Sequence, residues 1–475
     1  MWQKVQRSKK PAYIQIVEQI SQAIDSQRLL TGDRLQSERQ LAVQFGVNRS
    51  TVVHALDELR DLGRITSRQG SGRFVSPTTW GEFSVPRVDF RRLASKNYIK
   101  EKDRFGEKIS EMKHENRQIV DFYSSELPVD LLPCFSFPDI RWKDIWEKEQ
   151  AQEEYGYLPL RKEIAHLLIE QTKTRFSEDE VLITAGSQHA IFLILQTLLS
   201  QGDAVAVESP SFFYKSSLFQ AAGVRLYGVE MDDEGIDLYA LEQLILRQKI
   251  KLVMVNPNFQ NPTGMVMSQR RRHALIDLCR KYHLPIIEDA VFADLSFVAN
   301  ERTTSLKELD PENVLYVGSL SAVLGKTTKV GWIMASPTVL SRFSETQQMM
   351  GFSINILTQL SAMWVLKDSF DKHMAALLEK LQLCKFYLKQ WEEEQTFFSI
   401  KPIQGGYYAW ISWEGKPLDE KAALEILESG FACAPAFLFG SEKTGLRINY
   451  SRLTKQNYQQ FVQGMDCLKQ KVCEK

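Results

Sequence analysis

The sequence predicts an α/β protein with two parts, a small helical N-terminal domain closed by a two-stranded hairpin and a larger domain built on a mostly parallel sheet. The chain has 475 residues, too many for one compact core, so two or more domains are expected. Residues 1–75 carry 12 Lys and Arg against 7 Asp and Glu, whereas the whole chain is neutral. Beyond them, apolar strand-like runs alternate with helical patterns, which is typical of parallel sheets covered on both faces.

Composition excludes several other classes of protein. Hydrophobic residues make up 44% and charged residues 25% of the chain, as in ordinary globular proteins. No apolar run approaches the roughly 20 residues of a membrane span, and the N-terminus lacks the apolar core of a signal peptide. We therefore expect a cytoplasmic protein that does not contact membranes. The six cysteines include no C-x-x-C pair, so neither a disulfide framework nor a zinc site is indicated.

Helix signals follow one another in the basic N-terminal part. Pro11 can start a first helix, in which isoleucines recur every four residues. Ser37 and Gln40 have the spacing of a capping box for a second, short helix, and Gly46 can end it in a left-handed conformation. Asn48 is a plausible N-cap for a third helix. Two short helices separated by a glycine turn predict a helix-turn-helix.

Residues 65–75 alternate around a glycine turn, as a two-stranded wing would, and Arg68 and Arg73 flank its tip. The head resembles the winged helix of the GntR family, because it matches the patterns G-D-x-L-x-S-E-R-x-L-A, G-V-x-R-x-T-V and Q-G-x-G-x-x-V in order. Val53 stands where several relatives carry another arginine. A domain that only mediates dimerisation is the alternative, which the basic charge disfavours. The resemblance implies that double-stranded operator DNA is contacted by Arg39, Asn48, Arg49, Ser50 and Thr51, with Gln69 and Gly70 bringing the wing into a minor groove.

Residues 77–118 mix prolines, aromatics and dense charge without a sustained period, so we predict a linker, partly helical, between a domain at 1–76 and a second at 119–475. The second domain contains six predicted strands. They are 180–184, 204–208, 252–256, 285–289, 314–318 and 332–335.

Side chains suited to ligand binding follow most of these strands, where ligands bind in such sheets. Gly186, Ser187 and Gln188 lead into an apolar helix, and amides at a helix N-terminus can hold a phosphate. Asn261 lies in an Asn-Pro-Thr-Gly turn that aims its amide back toward the sheet. Asp289 ends the fourth strand, where it could keep a pyridine nitrogen protonated.

The stretch from Ser319 to Trp332 resembles the loop that anchors pyridoxal 5'-phosphate (PLP) in fold-type I enzymes, which reads Ser-x-Ser-Lys, six residues, then Arg-x-Gly-Tyr/Trp. With the strand-end motifs in the same order, residues 119–475 resemble class I aminotransferases, which implies a mostly parallel sheet and a smaller C-terminal α+β subdomain. A GntR head before such a domain is the architecture of the MocR subfamily of bacterial transcription regulators.

The resemblance implies PLP as cofactor and gives each motif a role. Phe212 would stack on the pyridine ring, Asn261 would donate to its phenolate oxygen and Asp289 would hold its nitrogen. Arg447, in a late strand, would take the carboxylate of an amino acid effector. The other cofactor-binding residues implied are Gly186, Ser187, Gln188, Ser319, Ser321 and Lys329.

The anchoring loop departs from the family pattern. Ala322 occupies the position of the Schiff-base lysine, Lys329 replaces an arginine, and Val291 or Phe292 stands where a tyrosine is usual. We therefore expect PLP to bind non-covalently. Ala322 is either a natural loss in a sensor or an engineered lysine-to-alanine change, which the otherwise intact site favours. Lys326 could substitute for the lysine, or could only cover the loop.

Three functions fit these features. The leading one is a dimeric transcription regulator that binds a promoter through its head and senses PLP, alone or joined to an amino compound. The second is a PLP-dependent aminotransferase with an attached DNA-binding domain, and the third is a scaffold that retains an ancestral fold.

Overall fold

The computed structural model describes residues 2–6, 10–26, 28–30, 32–68, 72–76, 103–172, 176–298, 303–441 and 443–473. The chain forms two compact units, Met1–Ile99 and Lys100–Lys475. Among the described helices, none has the length of apolar sequence needed to cross a bilayer.

The first unit is a three-helix domain with a hairpin. Its elements are α1 (Ala12–Asp25), α2 (Glu38–Phe45), α3 (Arg49–Asp61), β1 (Ile65–Arg68) and β2 (Gly72–Val75). The predicted capping box of α2 is confirmed, since Ser37 and Gln40 exchange hydrogen bonds of 3.0 and 3.4 Å. Gly46 ends α2 with φ of 69°. Buried side chains from all three helices and both strands form one apolar core.

The second unit is built on an eight-stranded sheet, which confirms the predicted α/β class. The strands along the chain are β4 (Val181–Thr184), β5 (Ala204–Ser209), β6 (Arg225–Asp232), β7 (Gly235–Ile236), β8 (Ile250–Val255), β9 (Ile286–Asp289), β10 (Val314–Ser319) and β11 (Gly331–Met334). Their order in space is β4-β11-β10-β9-β8-β5-β6-β7. The pairs from β10 to β6 are parallel, whereas β11 runs antiparallel to both neighbours and β7 antiparallel to β6.

Helices cover both faces of this sheet. Successive side chains of β8 alternate between two apolar cores, with Leu252 and Met254 in one and Val253 and Val255 in the other. The near-continuous apolar sequence of the strand follows from this double burial. The helices of this part are α5 (Trp142–Gln150), α6 (Leu158–Thr172), α7 (Ser187–Leu198), α8 (Leu218–Ala221), α9 (Leu238–Gln248), α10 (Gln269–Lys281), α11 (Leu306–Leu309), α12 (Ser321–Leu324) and α13 (Pro337–Met349).

A smaller α+β part follows, as predicted. Its antiparallel sheet has the order β12-β13-β16-β15, and β14 pairs with β3 near the start of the unit. The strands are β3 (Val120–Asp121), β12 (Phe398–Ile400), β13 (Tyr408–Trp413), β14 (Phe431–Ala432), β15 (Ala434–Pro435) and β16 (Leu446–Asn449). The helices are α14 (Ile356–Asp368), α15 (Phe370–Glu393), α16 (Glu420–Glu428) and α17 (Tyr458–Cys473). Short 3-10 helices lie at Val129–Leu131, Glu178–Glu180, Phe212–Lys215, Ala436–Phe439 and Tyr450–Arg452.

One helix, α4 (Arg104–His114), falls inside the stretch predicted as a linker. Its buried residues Phe105, Ile109 and Met112 belong to the apolar core of the larger unit. The folded part of that unit therefore begins before residue 119, while residues 77–102 lie outside the described part of the chain.

Candidate functional site

The ends of four strands meet at one edge of the large sheet. Thr184, the last residue of β4, pairs with Gly331, and Gly331 pairs with Ser319, the last residue of β10. Asp289 ends β9 and pairs with Val317 on the neighbouring strand. The predicted residues of strands β4, β9, β10 and β11 are thus brought together by the sheet register.

The first group forms a cup at the start of α7. Gly186 is the N-cap of this 12-residue helix, with φ of 84°, and Ser187 and Gln188 supply amides of its first turn. Gly331 packs so closely that a Cβ there would lie 2.6 Å from the Gly186 carbonyl carbon. Lys329, two residues before Gly331, is exposed and has φ of 39°. Amides at a helix N-terminus with a lysine nearby can bind a phosphate.

Asp289 lies deeper in the same edge. Burial raises the pKa of this carboxyl to about 7, and its hydrogen bond from the Val291 amide, at 3.3 Å, opposes that rise only weakly. Among the described residues, no cationic side chain forms an ion pair with it. A protonated pyridine nitrogen would supply the missing donor and positive charge, so the residue fits the ring of PLP.

The side chain of Asn261 is held in place by a hydrogen bond that its amide oxygen already accepts. Its backbone N–H donates to Asn256 Oδ1 at 2.8 Å, and its Oδ1 accepts from Arg447 Nη1 at 3.1 Å. The Nδ2 end keeps the donor that a phenolate oxygen would need. Phe212 begins a 3-10 helix, and its backbone N–H donates to the Asn261 carbonyl at 3.0 Å. The two residues are thereby held next to each other.

Ala322 lies in α12, immediately after β10. The side chain is 4% exposed and belongs to an apolar cluster that includes Leu320 and Val323. Ser319 Oγ donates to the Val330 carbonyl at 3.0 Å and accepts from the Ser321 amide at 3.2 Å. These bonds shape the loop, although position 322 offers no amine.

Lys326, the candidate substitute for the missing lysine, is engaged elsewhere. Its side chain is exposed, and its Nζ lies 2.5 Å from Glu126 Oε1. Neither residue at the position expected for a tyrosine carries a hydroxyl. Phe292 is buried and packs edge-on against the rings of Tyr407 and Tyr408. Val291 is half-buried.

Arg447 is fully buried on β16. Its guanidinium donates from Nη1 to Asn261 and from Nη2 to the Tyr123 carbonyl at 2.6 Å and to Ser125 Oγ at 3.3 Å. The ring of Tyr408 lies 4.4 Å from its central carbon. Burial lowers the pKa of this guanidinium, and Nε is buried with no hydrogen-bond partner among the described residues. A carboxylate would satisfy both the charge and this donor.

Several residues of the site were not predicted from the sequence. Glu208, fully buried at the end of β5, accepts from the Asn256 amide at 3.1 Å, and burial raises the pKa of this carboxyl to about 8. Asn256 Nδ2 donates to the Asp289 carbonyl at 2.6 Å, so one asparagine braces both Asn261 and Asp289. A polar residue ending each strand was the available signal. Tyr123 and Ser125 gave none, because they lie over 320 positions from Arg447.

The residues predicted to contact DNA lie around the start of α3. Arg39, Asn48, Arg49 and Ser50 are exposed and Thr51 is half-buried. Asn48 occupies the N-cap without a side-chain capping bond. Gln69 and Gly70 lie outside the described residues.

Glu38 organises the arginines of this face. Its carboxylate lies 2.8 Å from Arg49 and 3.3 Å from Arg73, which also approaches Asp57 at 3.3 Å. Arg49 keeps a side-chain exposure of 61%, whereas that of Arg73 is 19%. Arg49 is therefore the cation of this cluster that is available to a ligand, and Arg73 braces the wing.

Comparison with known proteins agrees with both units. Residues 145–465 match the family "Aminotransferase class I and II", and residues 12–75 match "Bacterial regulatory proteins, gntR family". The chain is 27% identical over 464 residues to the "Uncharacterized HTH-type transcriptional regulator YisV" of Bacillus subtilis, covering 95% of this chain and 94% of that protein. It is 23% identical over 435 residues to the "HTH-type transcriptional regulator NorG" of Staphylococcus aureus, covering 89% and 96%.

A solved structure shares the fold of the larger unit. The crystal structure of an archaeal alanine:glyoxylate aminotransferase matches with a TM-score of 0.71 and 25% identity, covering 80% of this chain and 99% of that one. Class I aminotransferases are PLP-dependent, in keeping with the arrangement at the sheet edge. The chain therefore belongs to the class I and II aminotransferase family and carries a gntR-type domain before it, a combination consistent with MocR-type regulators.

Proposed function

We propose that this protein is a transcription regulator whose larger unit binds PLP non-covalently and senses an amino acid joined to it. The observation that carries the proposal is a sheet edge with a buried acid, Asp289, and an asparagine bonded to a buried arginine, Asn261 and Arg447, beside an alanine at position 322. These groups suit PLP and a carboxylate, while the amine needed for covalent attachment is missing. The relatives named as transcriptional regulators support this function.

PLP would be held by groups at opposite ends of the site. The first-turn amides of α7 and Lys329 would bind its phosphate, and Asp289 would hold its ring nitrogen. The cofactor would supply an aldehyde that condenses with amino compounds. The buried, uncompensated charge of Asp289 is what favours a pyridine over a neutral aromatic ligand, because only a protonated ring nitrogen removes that charge.

The effector is an amino compound with a carboxylate. Arg447 is buried beside aromatic rings, and the acceptors that it contacts are neutral oxygens. A buried cation with neutral partners and an unpartnered Nε is electrostatically incomplete, and a carboxylate would complete it. An amine without a carboxylate would leave this charge uncompensated, so we expect it to bind more weakly.

The head would bind operator DNA through the start of α3. Arg49 is exposed beside Ser50 and Asn48, a set that can contact a base edge and phosphates in a major groove. Glu38 orients the Arg49 guanidinium before binding. Lysine and arginine contacts to phosphate make this affinity fall with added salt.

The working unit would be a homodimer. Trp142 and Trp146 on α5 are 76% and 59% exposed, and Met349 at the end of α13 is 85% exposed. Phe352, 48% exposed, lies 4.9 Å from the ring of His189 in α7, beside the phosphate cup. Trp142 and Trp146 are four residues apart on one helix and so share a face of it, and exposed aromatic side chains are typical of protein interfaces. A second copy is the partner that would also pair two DNA-binding heads.

Ligand binding by the full-length chain tests the proposal. PLP added to the cofactor-free protein should change its absorbance saturably, and dialysis should remove the PLP even after borohydride treatment. Asp289→Asn should weaken PLP binding, whereas Arg447→Leu should weaken only ligands that carry a carboxylate. No saturable binding of PLP, or equal binding by the Asp289→Asn variant, would reject the proposal. Turnover of an amino acid with a keto acid would favour the aminotransferase alternative.

A further inference from the structure

The guanidinium of Arg447 cannot grip a carboxylate without disturbing Tyr123. A bidentate carboxylate uses either the Nη1–Nη2 edge or the Nε–Nη2 edge of a guanidinium, and both edges include Nη2. The two hydrogens of Nη2 now go to the Tyr123 carbonyl and to Ser125 Oγ. The unpartnered Nε marks the second edge as ready for a ligand. Binding there makes the carboxylate compete with these two acceptors.

Tyr123 carries that disturbance to the start of α4. Its hydroxyl donates a short hydrogen bond to Asp103 Oδ2. Lys215 Nζ donates to the same hydroxyl at 2.6 Å, lies 3.2 Å from Asp103 Oδ2 and sits 4.2 Å from the Tyr123 ring centre. We call Asp103, Tyr123 and Lys215 the junction triad. Burial raises the pKa of Asp103, but the Tyr123 hydroxyl and the Lys215 charge outweigh it and lower that pKa, so this carboxyl is ionised.

A second path joins Arg447 to the triad. Lys215 is the last residue of the 3-10 helix that begins at Phe212, whose amide donates to the Asn261 carbonyl at 3.0 Å. Asn261 Oδ1 accepts from Arg447 Nη1. The contacts therefore close a ring through the candidate cofactor site, with Asp103 attached to it. A rearrangement at the guanidinium reaches the triad from both sides.

Asp103 stands where the larger unit begins. It is the N-cap of α4 and accepts from the Gly106 amide at 3.1 Å, while Phe105 packs against the ring of Tyr123 at 6.4 Å. Residues 77–102 precede it in the sequence and lead to the DNA-binding domain. The triad thus joins the effector site to Asp103, the first described residue of the larger unit.

We propose that the junction triad couples occupancy of Arg447 by an effector carboxylate to the anchoring of α4, and through it to the segment that carries the DNA-binding domain. This rests on the proposed function, because it assumes that Arg447 meets a carboxylate. Competition for Nη2 loosens the Tyr123 carbonyl, which weakens the hold of its hydroxyl on Asp103. Tyr123 is a positioning residue in this account, since its side chain acts through Asp103.

Hydrogen exchange of the full-length protein tests the coupling. Two probes share the pyridine ring and phosphate: N-(5'-phosphopyridoxyl)-L-leucine carries a carboxylate, and pyridoxamine 5'-phosphate does not. The amides of residues 103–114 should exchange at least about fivefold faster with the leucine adduct than with pyridoxamine phosphate, the lower end of usual coupling between sites. The two probes differ in the leucine carboxylate and in its isobutyl side chain, so variants of the triad are needed to assign the ratio to the coupling.

Two variants separate coupling from binding. Tyr123→Phe keeps the ring and the carbonyl that meets Arg447 but removes the hydroxyl, so affinity for the adduct should stay within about threefold while the exchange ratio falls to about one. Asp103→Asn keeps an N-cap and should give the same result. Lys108→Ala, which removes a surface pair with Glu111 on the same helix, is the matched control and should keep the ratio.

The outcomes are distinguishable. An adduct that binds the unmodified protein but leaves the exchange of 103–114 unchanged or slower would overturn the coupling and leave the proposed function standing. Unchanged ratios in both triad variants would overturn it as well. Failure of the adduct to bind at all would overturn the proposed function and the coupling together.

Discussion

Asp289 should destabilise the cofactor-free protein and bind the cofactor for the same reason. Burial raises the pKa of its carboxyl to about 7 from an ordinary value of 3.8. Between about pH 4 and pH 7 the folded state holds a proton that the unfolded state has released. The free energy of unfolding therefore falls as pH rises through this range, and it stays low at higher pH. One pKa unit corresponds to about 1.4 kcal/mol, which sets a ceiling of roughly 4 kcal/mol.

The expected effect is smaller than this ceiling. Asp289 keeps partial exposure at the sheet edge, and solvent there screens its charge, so we expect about 2 kcal/mol. Asp289→Asn removes the charge while preserving the shape of the side chain. Without PLP, the variant should therefore melt roughly 2–4 °C higher than the parent at pH 8.5, and about a third of that excess should remain at pH 5, where the linkage is only partly developed.

Saturating PLP should reverse the order of the two melting temperatures, because it should bind the parent more tightly than the variant. Loss of a charge-assisted hydrogen bond to the ring nitrogen should weaken PLP binding by about 1.5–3 kcal/mol, or roughly 10- to 150-fold. Scanning calorimetry at both pH values, with and without saturating PLP, measures both effects. Asp310→Asn is a control of opposite sign, because Arg280 and other donors lower the pKa of Asp310 despite its burial. The reasoning would be refuted if the melting temperature of Asp289→Asn exceeded that of the parent by no more at pH 8.5 than at pH 5.

Three further predictions concern the other sites. Arg49→Ala should weaken operator binding, measured by fluorescence anisotropy, by roughly 1–3 kcal/mol, whereas the control His54→Ala should be nearly neutral. Deletion of residues 1–76 should abolish binding, and binding without the head would contradict the assignment. Arg447→Lys should lower affinity for phosphopyridoxyl-leucine at least tenfold but leave pyridoxamine phosphate within threefold in calorimetric titration; equal losses would mean a structural role. Trp146→Glu should shift sedimentation toward monomer, with Tyr239→Glu as the exposed control, and a parent that is monomeric at micromolar concentration would exclude the dimer.

Much of the fold was predictable because its strands are buried on both faces. The six predicted strands lie within two residues of observed ones, since continuous apolar sequence marks a doubly covered strand. Strand β6 was missed because its side chains alternate with exposed, charged positions near the sheet edge. The antiparallel direction of β11 follows from pairing across the sheet, which no local pattern encodes.

The candidate site was predictable where a motif sits at a strand end, as for Gly186, Asn261 and Asp289. The residues that brace them were not. Tyr123 follows a two-residue strand, and its backbone carbonyl accepts the hydrogen bond from Arg447, which a residue with any side chain could do. Asn256 ends a predicted strand, yet its bonds to both Asn261 and Asp289 depend on three-dimensional placement. The roles of these residues remain predictions.

Restoring the missing amine tests the central claim that a PLP site is intact apart from its anchor. Position 322 is buried next to Ser319 and Ser321 at the sheet edge, so a lysine introduced there supplies the nucleophile that the loop lacks. Ala322→Lys, incubated with PLP and treated with borohydride, should carry one phosphopyridoxyl group on the peptide that contains position 322. The parent chain should carry none. Labelling of the parent at Lys326, or an Ala322→Lys variant that remains unlabelled, would contradict the account.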